Sequence, residues 1–509
     1  HFRHHQNKEI KRMSIFSLFV VIPLASAFII ALIAGRLKNI GNFIFCSTTL
    51  ILCVLSLSAV RLVNIYKVIV FKIGGWLPPV GISMVADGLA VLMLVTVALV
   101  AMLVSFYAVR YIQKYTDTWK FHALFMLMLA GINGVILSGD LFNLYVFLEL
   151  ASISAYVLVA FGVEPEGLEA AFRYAVMGSL GSIFVLLGIA LLYGYCSTLN
   201  MADISLVLSN NPRGVLIGFV SVLFLAGFGL KAALVPFHAW LPDAHSSAPS
   251  PVSAMLSGVL IKALGIYAIA RIFFNVLGVS GKMLFVLMIL GTISMVVGAL
   301  MAMSQSDLKR MFAYSSISQI GYIALALGVG TPLAIFGGLF HLFNHAVFKS
   351  LLFLNAGSIE HATGTRNLKK LGGLAGEMPV EGVTSLVGSM SISGIPPLGG
   401  FWSKLIIIIA VAQAGYTGFA AIAVVVSIIT LAYYLEFQTF AFFGKLDERM
   451  QQLIKVPLAM KLSVISLAGI CVFSGLLLLP YFRPFLQSAA NVLVSGSGYK
   501  DAVFAAIRW

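Results

Sequence analysis

Residues 214–240 read GVLIGFVSVLFLAGFGLKAALVPFHAW, an uncharged stretch that ends at Lys231 and resumes through His238. A bilayer core is crossed by about 20 apolar residues in helix, and this segment has that length and character. Gly227 and Gly229 stand just before Lys231, and Pro236 follows it. Glycine and proline release backbone hydrogen bonds, so the spacing predicts a helix broken beside a lysine within the membrane. A second segment repeats the combination. Residues 394–404 read GIPPLGGFWSK, which predicts another broken helix, this one carrying Lys404.

Outward from these two segments the chain keeps the same character. Uncharged runs recur at 14–35, 41–60, 88–109, 311–340 and 405–435, each long enough to cross a bilayer. They lack the alternation of outer-membrane barrels, which leaves helices as the spanning structure. Of 509 residues 60% are hydrophobic and only 10% charged, against about 25% charged in soluble domains. The expected fold class is therefore an all-α polytopic membrane protein of about fourteen transmembrane helices. The two lysine-bearing breaks are expected five spans apart, in opposite orientations, which is the geometry of inverted repeats.

A net charge of +14 would suggest nucleic acid in a soluble protein. Here the basic residues sit mostly between spans, so no nucleic-acid partner is expected. Fourteen spans starting outside would place fifteen Lys and Arg in cytoplasmic loops and six in the opposite loops, namely Arg61, Lys67, Lys72, Arg213, Arg271 and Lys282. Both termini are then expected on the outer side of a prokaryotic inner membrane, although Arg3, Lys8, Lys11 and Arg12 pull the other way. Residues 1–12 read unlike the remainder and are expected to be a tail foreign to the fold, and the apolar stretch after them to be a first span rather than a cleaved signal.

Cys46, Cys53, Cys196 and Cys471 form no Cys-x-x-Cys pair, and they are expected to pack in the core rather than ligate zinc or an iron–sulfur cluster. Neither a dinucleotide fingerprint nor a phosphate loop is present. No cofactor, metal or redox centre is expected in this chain.

An ionisable side chain at a helix centre costs roughly 2.5–3.5 kcal/mol on insertion scales, so each one is a functional candidate. Glu149 is the only charge in 141–163, Lys262 is alone in 246–270, and Lys231, His238 and Lys404 interrupt apolar stretches. His341, His345 and Lys349 recur at i, i+4 and i+8, on one face of a helix. The plainer alternatives are snorkelling for Lys262 and Lys349, a structural ion pair for Glu149 with Lys231, and an ordinary proline kink at either break. The histidine pair at i, i+4 has no acidic or cysteine neighbour to complete a metal site, and a proton relay suits it better.

The segments FNLYVFLE (142–149), KAALVPFHAWLPDAH (231–245), DLKR (307–310), AYSSISQ (313–319), HLFNHAVFK (341–349) and GIPPLGGFWSK (394–404) together resemble one family. It comprises the antiporter-like membrane subunits shared by respiratory complex I, membrane-bound hydrogenases and Mrp-type multisubunit sodium/proton antiporters. The resemblance covers about residues 121–435. It implies N-terminal helices over 13–120, a first repeat over 121–275, an inverted second repeat over 282–443, and a last helix and tail over 457–509. It also implies a proton path of Glu149, Lys231, Lys262, His238, His341, His345, Lys349 and Lys404, in which Glu149 pairs with Lys231 and the histidines join the halves. Two departures stand out: Arg173 occupies a position that is lysine in many members, and a long lateral helix after about Tyr481 is not expected.

The resemblance implies an ion-translocating subunit that works with other membrane subunits, in contact with lipids, moving protons and in some members sodium. The driver would be a partner redox module or an opposing ion gradient. A stand-alone antiporter, a scaffold whose polar groups only hold helices together, and a sugar or amino-acid transporter are the competing functions.

Overall fold

The structure is a computed structural model that describes residues 14–33, 38–211, 214–444 and 453–507. The expected tail at 1–12 lies outside the described residues. The chain opens with α1 (Leu18–Ile33) and α2 (Lys38–Tyr66), passes through β1 (Ile69–Lys72) and β2 (Ser83–Ala86), and continues as α3 (Gly88–Tyr111), α4 (Thr118–Leu137), α5 (Leu141–Val159), α6 (Pro165–Cys196) and the short α7 (Met201–Asn210). Then come α8 (Gly214–Lys231), α9 (Trp240–Ser247), α10 (Ser250–Leu277), α11 (Gly281–Met303), α12 (Leu308–Val329) and α13 (Pro332–Thr363). The remainder is α14 (Pro379–Ser393), α15 (Gly399–Gln413), α16 (Thr417–Ala441), α17 (Leu458–Phe473), α18 (Arg483–Val494) and α19 (Gly498–Ile507).

Among the described residues eleven helices are long and apolar enough to cross a membrane, and α1 and α15 are shorter apolar helices. Both expected breaks are present: α8 stops at Lys231 before α9, and α14 stops at Ser393 before α15. Two of the uncharged runs hold more than one helix. Within 311–340, α12 is ended by Gly330 in the left-handed region (φ 70°), and Thr331 caps α13 with Pro332 at its first position. Within 405–435, Gly415 (φ 87°) separates α15 from α16. Hydropathy does not register such turns, because their residues carry no charge.

The all-α expectation needs one amendment. Residues 69–86 contain an antiparallel hairpin in which Ile69 faces Ala86 and Lys72 faces Ser83. It lies between α2 and α3, and Met84 extends the pairing to Ser138 at the end of α4. Residues beyond Tyr481 are not a bare tail either. Helix α18 buries Leu486, Ala489, Ala490 and Leu493, an i, i+3/i+4 stripe, against α3 and α13.

Helix α10 sits at the centre and is buried along its length except at Phe274. Much of it winds as π-helix, over Leu256–Leu260, Lys262–Tyr267 and Arg271–Leu277. Around it, one hydrogen-bonding pattern occurs twice. Asp140 caps α5 through Asn143 N (2.9 Å) and bridges to Asn200, while Asp307 caps α12 through Arg310 N (2.9 Å) and bridges to Asn367. Leu141 N donates to Leu199 O and Met201 N to Gly139 O; Leu308 N donates to Arg366 O and Leu368 N to Ser306 O.

Candidate functional site

The break after α8 is built from its own sequence. Ala233 adopts a left-handed φ of 55°, and the freed backbone groups find new partners: Trp240 Nε1 donates to Leu230 O (3.0 Å), and Val235 N donates to Ser294 Oγ of α11 (2.9 Å). Trp240 stacks on Tyr174 of α6 at 4.1 Å, and Tyr174 meets Tyr156 of α5 edge-on at 4.6 Å. This aromatic stack holds α5, α6 and α9 around the end of α8.

Lys231, 2% exposed, is the last residue of α8 and points into that frame. Its Nζ donates to Ser152 Oγ (2.9 Å) and Tyr156 Oη (3.3 Å), both on α5, and lies 3.8 Å from Glu149 Oε1. Glu149 accepts a short hydrogen bond from Ser182 Oγ of α6 and keeps 24% of its side chain exposed. Lysine and glutamate are thus in contact at long range, with neutral hydroxyls taking the ammonium's closest positions. His238 lies in the turn between α8 and α9, half-buried, with Nδ1 unpartnered among the described residues.

Lys262 is fully buried among the π turns of α10 and donates to Ser257 O at 2.5 Å. Ser257 Oγ in turn meets Ser316 Oγ of α12 at 2.7 Å. Lys349 is fully buried too and donates to Phe312 O (2.7 Å) and Tyr434 Oη (3.2 Å), which rules out a snorkelling role for both lysines. His341, His345 and Lys349 share α13 as expected. The two imidazoles stack 6.2 Å apart; His341 Nδ1 meets Ser403 Oγ (2.9 Å) and its Nε2 meets Gln319 Oε1 (3.2 Å), whereas both nitrogens of His345 are unpartnered among the described residues.

Lys404 occupies α15, one turn past the second break. Its buried Nζ has no hydrogen-bond partner among the described residues and sits 4.7 Å above the ring of Tyr322, whose own centroid is 5.8 Å from that of His341. Gly394 and Gly400 make this approach possible. A Cβ on Gly394 would stand 3.3 Å from Lys404 Cδ, and one on Gly400 would collide with Ser391 O.

Of the predicted residues, Glu149 and Lys231 make direct contact, His341 and Lys404 both meet Tyr322, and His345 stacks on His341. Lys262 and Lys349 fill the interior between those groups without touching a carboxylate. Sequence reading passed over His245 of α9, which is fully buried with both nitrogens unpartnered among the described residues, and Lys309, which is buried and donates to Ala248 O. Both stand inside the quoted segments 231–245 and 307–310, where position alone was the signal. Arg173 belongs elsewhere. Its half-exposed guanidinium binds Glu169 (2.5 Å) and Asp243 (2.9 Å), and Asp243 also binds Arg310 (2.8 Å), an ion-pair cluster at one end of the helices. Cys196 and Cys471 are buried, and Cys46 and Cys53 are partly so. Among the described residues no three His, Cys, Asp or Glu side chains gather where they could hold a metal ion.

Residues 138–430, well over half of the chain, match the family model described as NADH:quinone oxidoreductase/Mrp antiporter, transmembrane. The chain belongs to this family. Among curated relatives it is 40% identical over 369 residues to an NADH-quinone oxidoreductase subunit of Desulforudis audaxviator, covering 72% of this chain and 73% of that one. It is 34% identical over 434 residues to a Na(+)/H(+) antiporter subunit of Alkalihalophilus pseudofirmus, covering 85% and 88%. Among solved structures, a chain of the Mrp complex from Dietzia sp. superposes with a TM-score of 0.89 at 28% identity, covering 97% of this chain and 99% of that one. A chain of the membrane-bound sulfane sulfur reductase, an archaeal respiratory membrane complex, also gives 0.89, at 33% identity over 96% and 100%. This member of the NADH:quinone oxidoreductase/Mrp antiporter family is a multi-pass membrane protein.

Proposed function

We propose that this chain is an ion-translocating subunit of a multisubunit membrane complex, moving protons along a lateral axis of buried groups. The axis runs from Glu149 and Lys231 through Lys262, His345 and His341 to Lys404, with Lys349 and His238 beside it. The observation that carries the reading is the burial of Lys262, Lys349 and Lys404 with no carboxylate partner among the described residues. A buried ammonium without a counter-ion is held in the membrane at a cost of several kcal/mol, which a scaffold gains nothing by bearing. Such a lysine shifts readily between charged and neutral forms, which is what a proton carrier needs.

Glu149 and Lys231 act as the variable end of the axis. At 3.8 Å the carboxylate favours the ammonium; moving Glu149 away removes that support, and the desolvated Lys231 gives up its proton. The motion that changes this distance comes from a partner redox module or from a gradient of the opposing ion. Relatives named as subunits of a quinone oxidoreductase and of a sodium/proton antiporter support both drivers. Protons suit the axis better than sodium, which is drawn to carboxylate and carbonyl oxygens and repelled by ammonium groups.

Fourteen spans in two inverted five-helix units, 121–275 and 282–443, are part of the same reading. The paired bridges Asp140 to Asn200 and Asp307 to Asn367 support it, because five spanning segments separate the two aspartates and so put them on opposite sides. Bacterial relatives support a prokaryotic inner membrane, and the loop charges support outward termini. The deciding experiment measures proton and sodium movement in vesicles holding the whole native complex. Lys231→Ala at matched assembly is expected to abolish coupled movement; normal movement would reduce the buried groups to scaffolding.

A further inference from the structure

Helix α14 carries a buried acid that the axis above does not use. Glu381 lies two residues inside the exposed Pro379, is itself fully buried, and has both carboxylate oxygens unpartnered among the described residues. Ser385, Ser389 and Ser393 follow it at successive i+4 steps, so the four side chains form one row along the helix. All three serines are buried.

Groups on neighbouring helices close around this row. Gln438 of α16 donates through Nε2 to Ser385 Oγ (3.3 Å) and Ser389 Oγ (2.9 Å), leaving its Oε1 unpartnered. Asn355 of α13 accepts from Thr384 Oγ1 (3.0 Å) and leaves its Nδ2 unpartnered. At the inner end, Ser393 and Lys404 line a cleft of about 210 Å³ with Gly394 and Ser427, a mostly apolar cleft that opens outward past Val424 and Ile428. The row therefore starts at an unpartnered carboxylate and ends at an unpartnered ammonium.

Buried polar atoms are paired in nearly all folded proteins, and those that protein groups do not satisfy bind water. Five such atoms belong to this row and to the helices packed against it, more than dry packing accounts for: Glu381 Oε1 and Oε2, Gln438 Oε1, Asn355 Nδ2 and Lys404 Nζ. The serines donate back to their own helix, Ser385 to Gly382 O and Ser393 to Ser389 O, which leaves hydroxyl lone pairs facing outward. The outer end lies at the start of α14, after the loop in which Arg366 pairs with Asp307 (2.9 Å) and Lys369 and Lys370 are exposed.

We propose that Glu381, Ser385, Ser389, Ser393 and Gln438 form a hydrated proton-access file joining that end of α14 to Lys404. Glu381 takes a proton from surface water as a carboxylate and releases it inward to the file; the far end delivers one proton to neutral Lys404, and Glu381 returns to its charged form. The file rests on the reading of Lys404 as an end of the axis.

The test uses vesicles holding the native complex, with Glu381→Gln, Glu381→Asp, Ser389→Val and Lys404→Ala compared at matched assembly. Glu381→Gln, which cannot carry a proton, is expected to slow coupled proton movement at least fivefold, and Glu381→Asp to restore at least half of the loss. Ser389→Val, which leaves the carboxylate in place and blocks the file, is expected to match Glu381→Gln, and it decides the question if Glu381→Gln fails to assemble. Loss in Lys404→Ala with wild-type rates in Glu381→Gln and Ser389→Val would overturn the file and leave the axis standing. Wild-type rates in all of them would overturn both.

Discussion

Arg271 of α10 grips Asp87 with two prongs, Nη1 to Oδ2 at 2.7 Å and Nη2 to Oδ1 at 2.8 Å, and neither side chain is more than 3% exposed. Asp87 also caps α3 through Ala90 N (2.9 Å), and Asn275, one turn beyond Arg271, donates to Val492 O and Gly496 O at the C-terminal helices. The ion pair joins α3 to α10, Asn275 adds α18, and the Arg271 guanidinium 5.1 Å over the ring of Tyr499 adds α19.

Removing one partner of a fully buried pair strands the other charge. Asp87→Ala is expected to cost about 3–5 kcal/mol, read as a fall in the unfolding temperature of the purified complex. Asp87→Leu combined with Arg271→Met is expected to recover much of the loss, since the penalty lies in the orphaned charge. Equal damage from the single and double variants would contradict this.

At the other pair, Lys231→Arg is expected to fail as completely as Lys231→Ala in proton movement while assembling normally. Arginine keeps its proton under all working conditions and cannot alternate between states. Glu149→Gln removes the support for the charged form and is expected to slow movement at least tenfold. Full activity in Lys231→Arg would show that only a fixed positive charge is needed there.

Gly400→Ala tests the second break. A Cβ there would collide with the backbone oxygen of Ser391, which cannot swing aside as a side chain could. Misassembly, seen as loss of the intact complex on gel filtration, is the expected outcome. Gly418→Ala, whose Cβ meets nothing within 4 Å, serves as the control and is expected to assemble.

Tyr322 offers Lys404 a ring face at 4.7 Å, and its hydroxyl meets Ala423 O (2.5 Å) and Ser427 Oγ (2.8 Å). Tyr322→Phe keeps the face and is expected to cost about 1 kcal/mol for the lost hydrogen bond. Tyr322→Leu removes the face as well and is expected to cost about 1 kcal/mol more through the lost cation–π contact. Thermal unfolding of the two variants side by side gives the difference.

The two broken helices were legible because glycine and proline act locally: Gly227, Gly229 and Pro236 flag one break, and Gly394 to Gly400 the other. The shared face of His341, His345 and Lys349 follows from helical periodicity alone. Turns without charge were not legible, which is why 311–340 and 405–435 each read as one run although a helix ends inside both. Neither was the partnership of Asp87 with Arg271, because 184 residues separate them and Arg271 reads by itself as a loop charge. Glu381 was hidden in another way. As a first-turn acid it looks like an ordinary helix-dipole partner, and only its burial distinguishes it.

The π turns of α10 fix an angular phase between the two ends of that helix. Each wider turn absorbs an extra residue, so Lys262 and Arg271 face their separate neighbours only while that surplus is kept. Deleting one residue between them and rewinding the segment as α-helix would rotate everything beyond it by about 100°, taking Arg271 away from Asp87. Helix α10 thus behaves as a keyed shaft, in which the orientation of the interior lysine is set from the far end by the ion pair that holds α3.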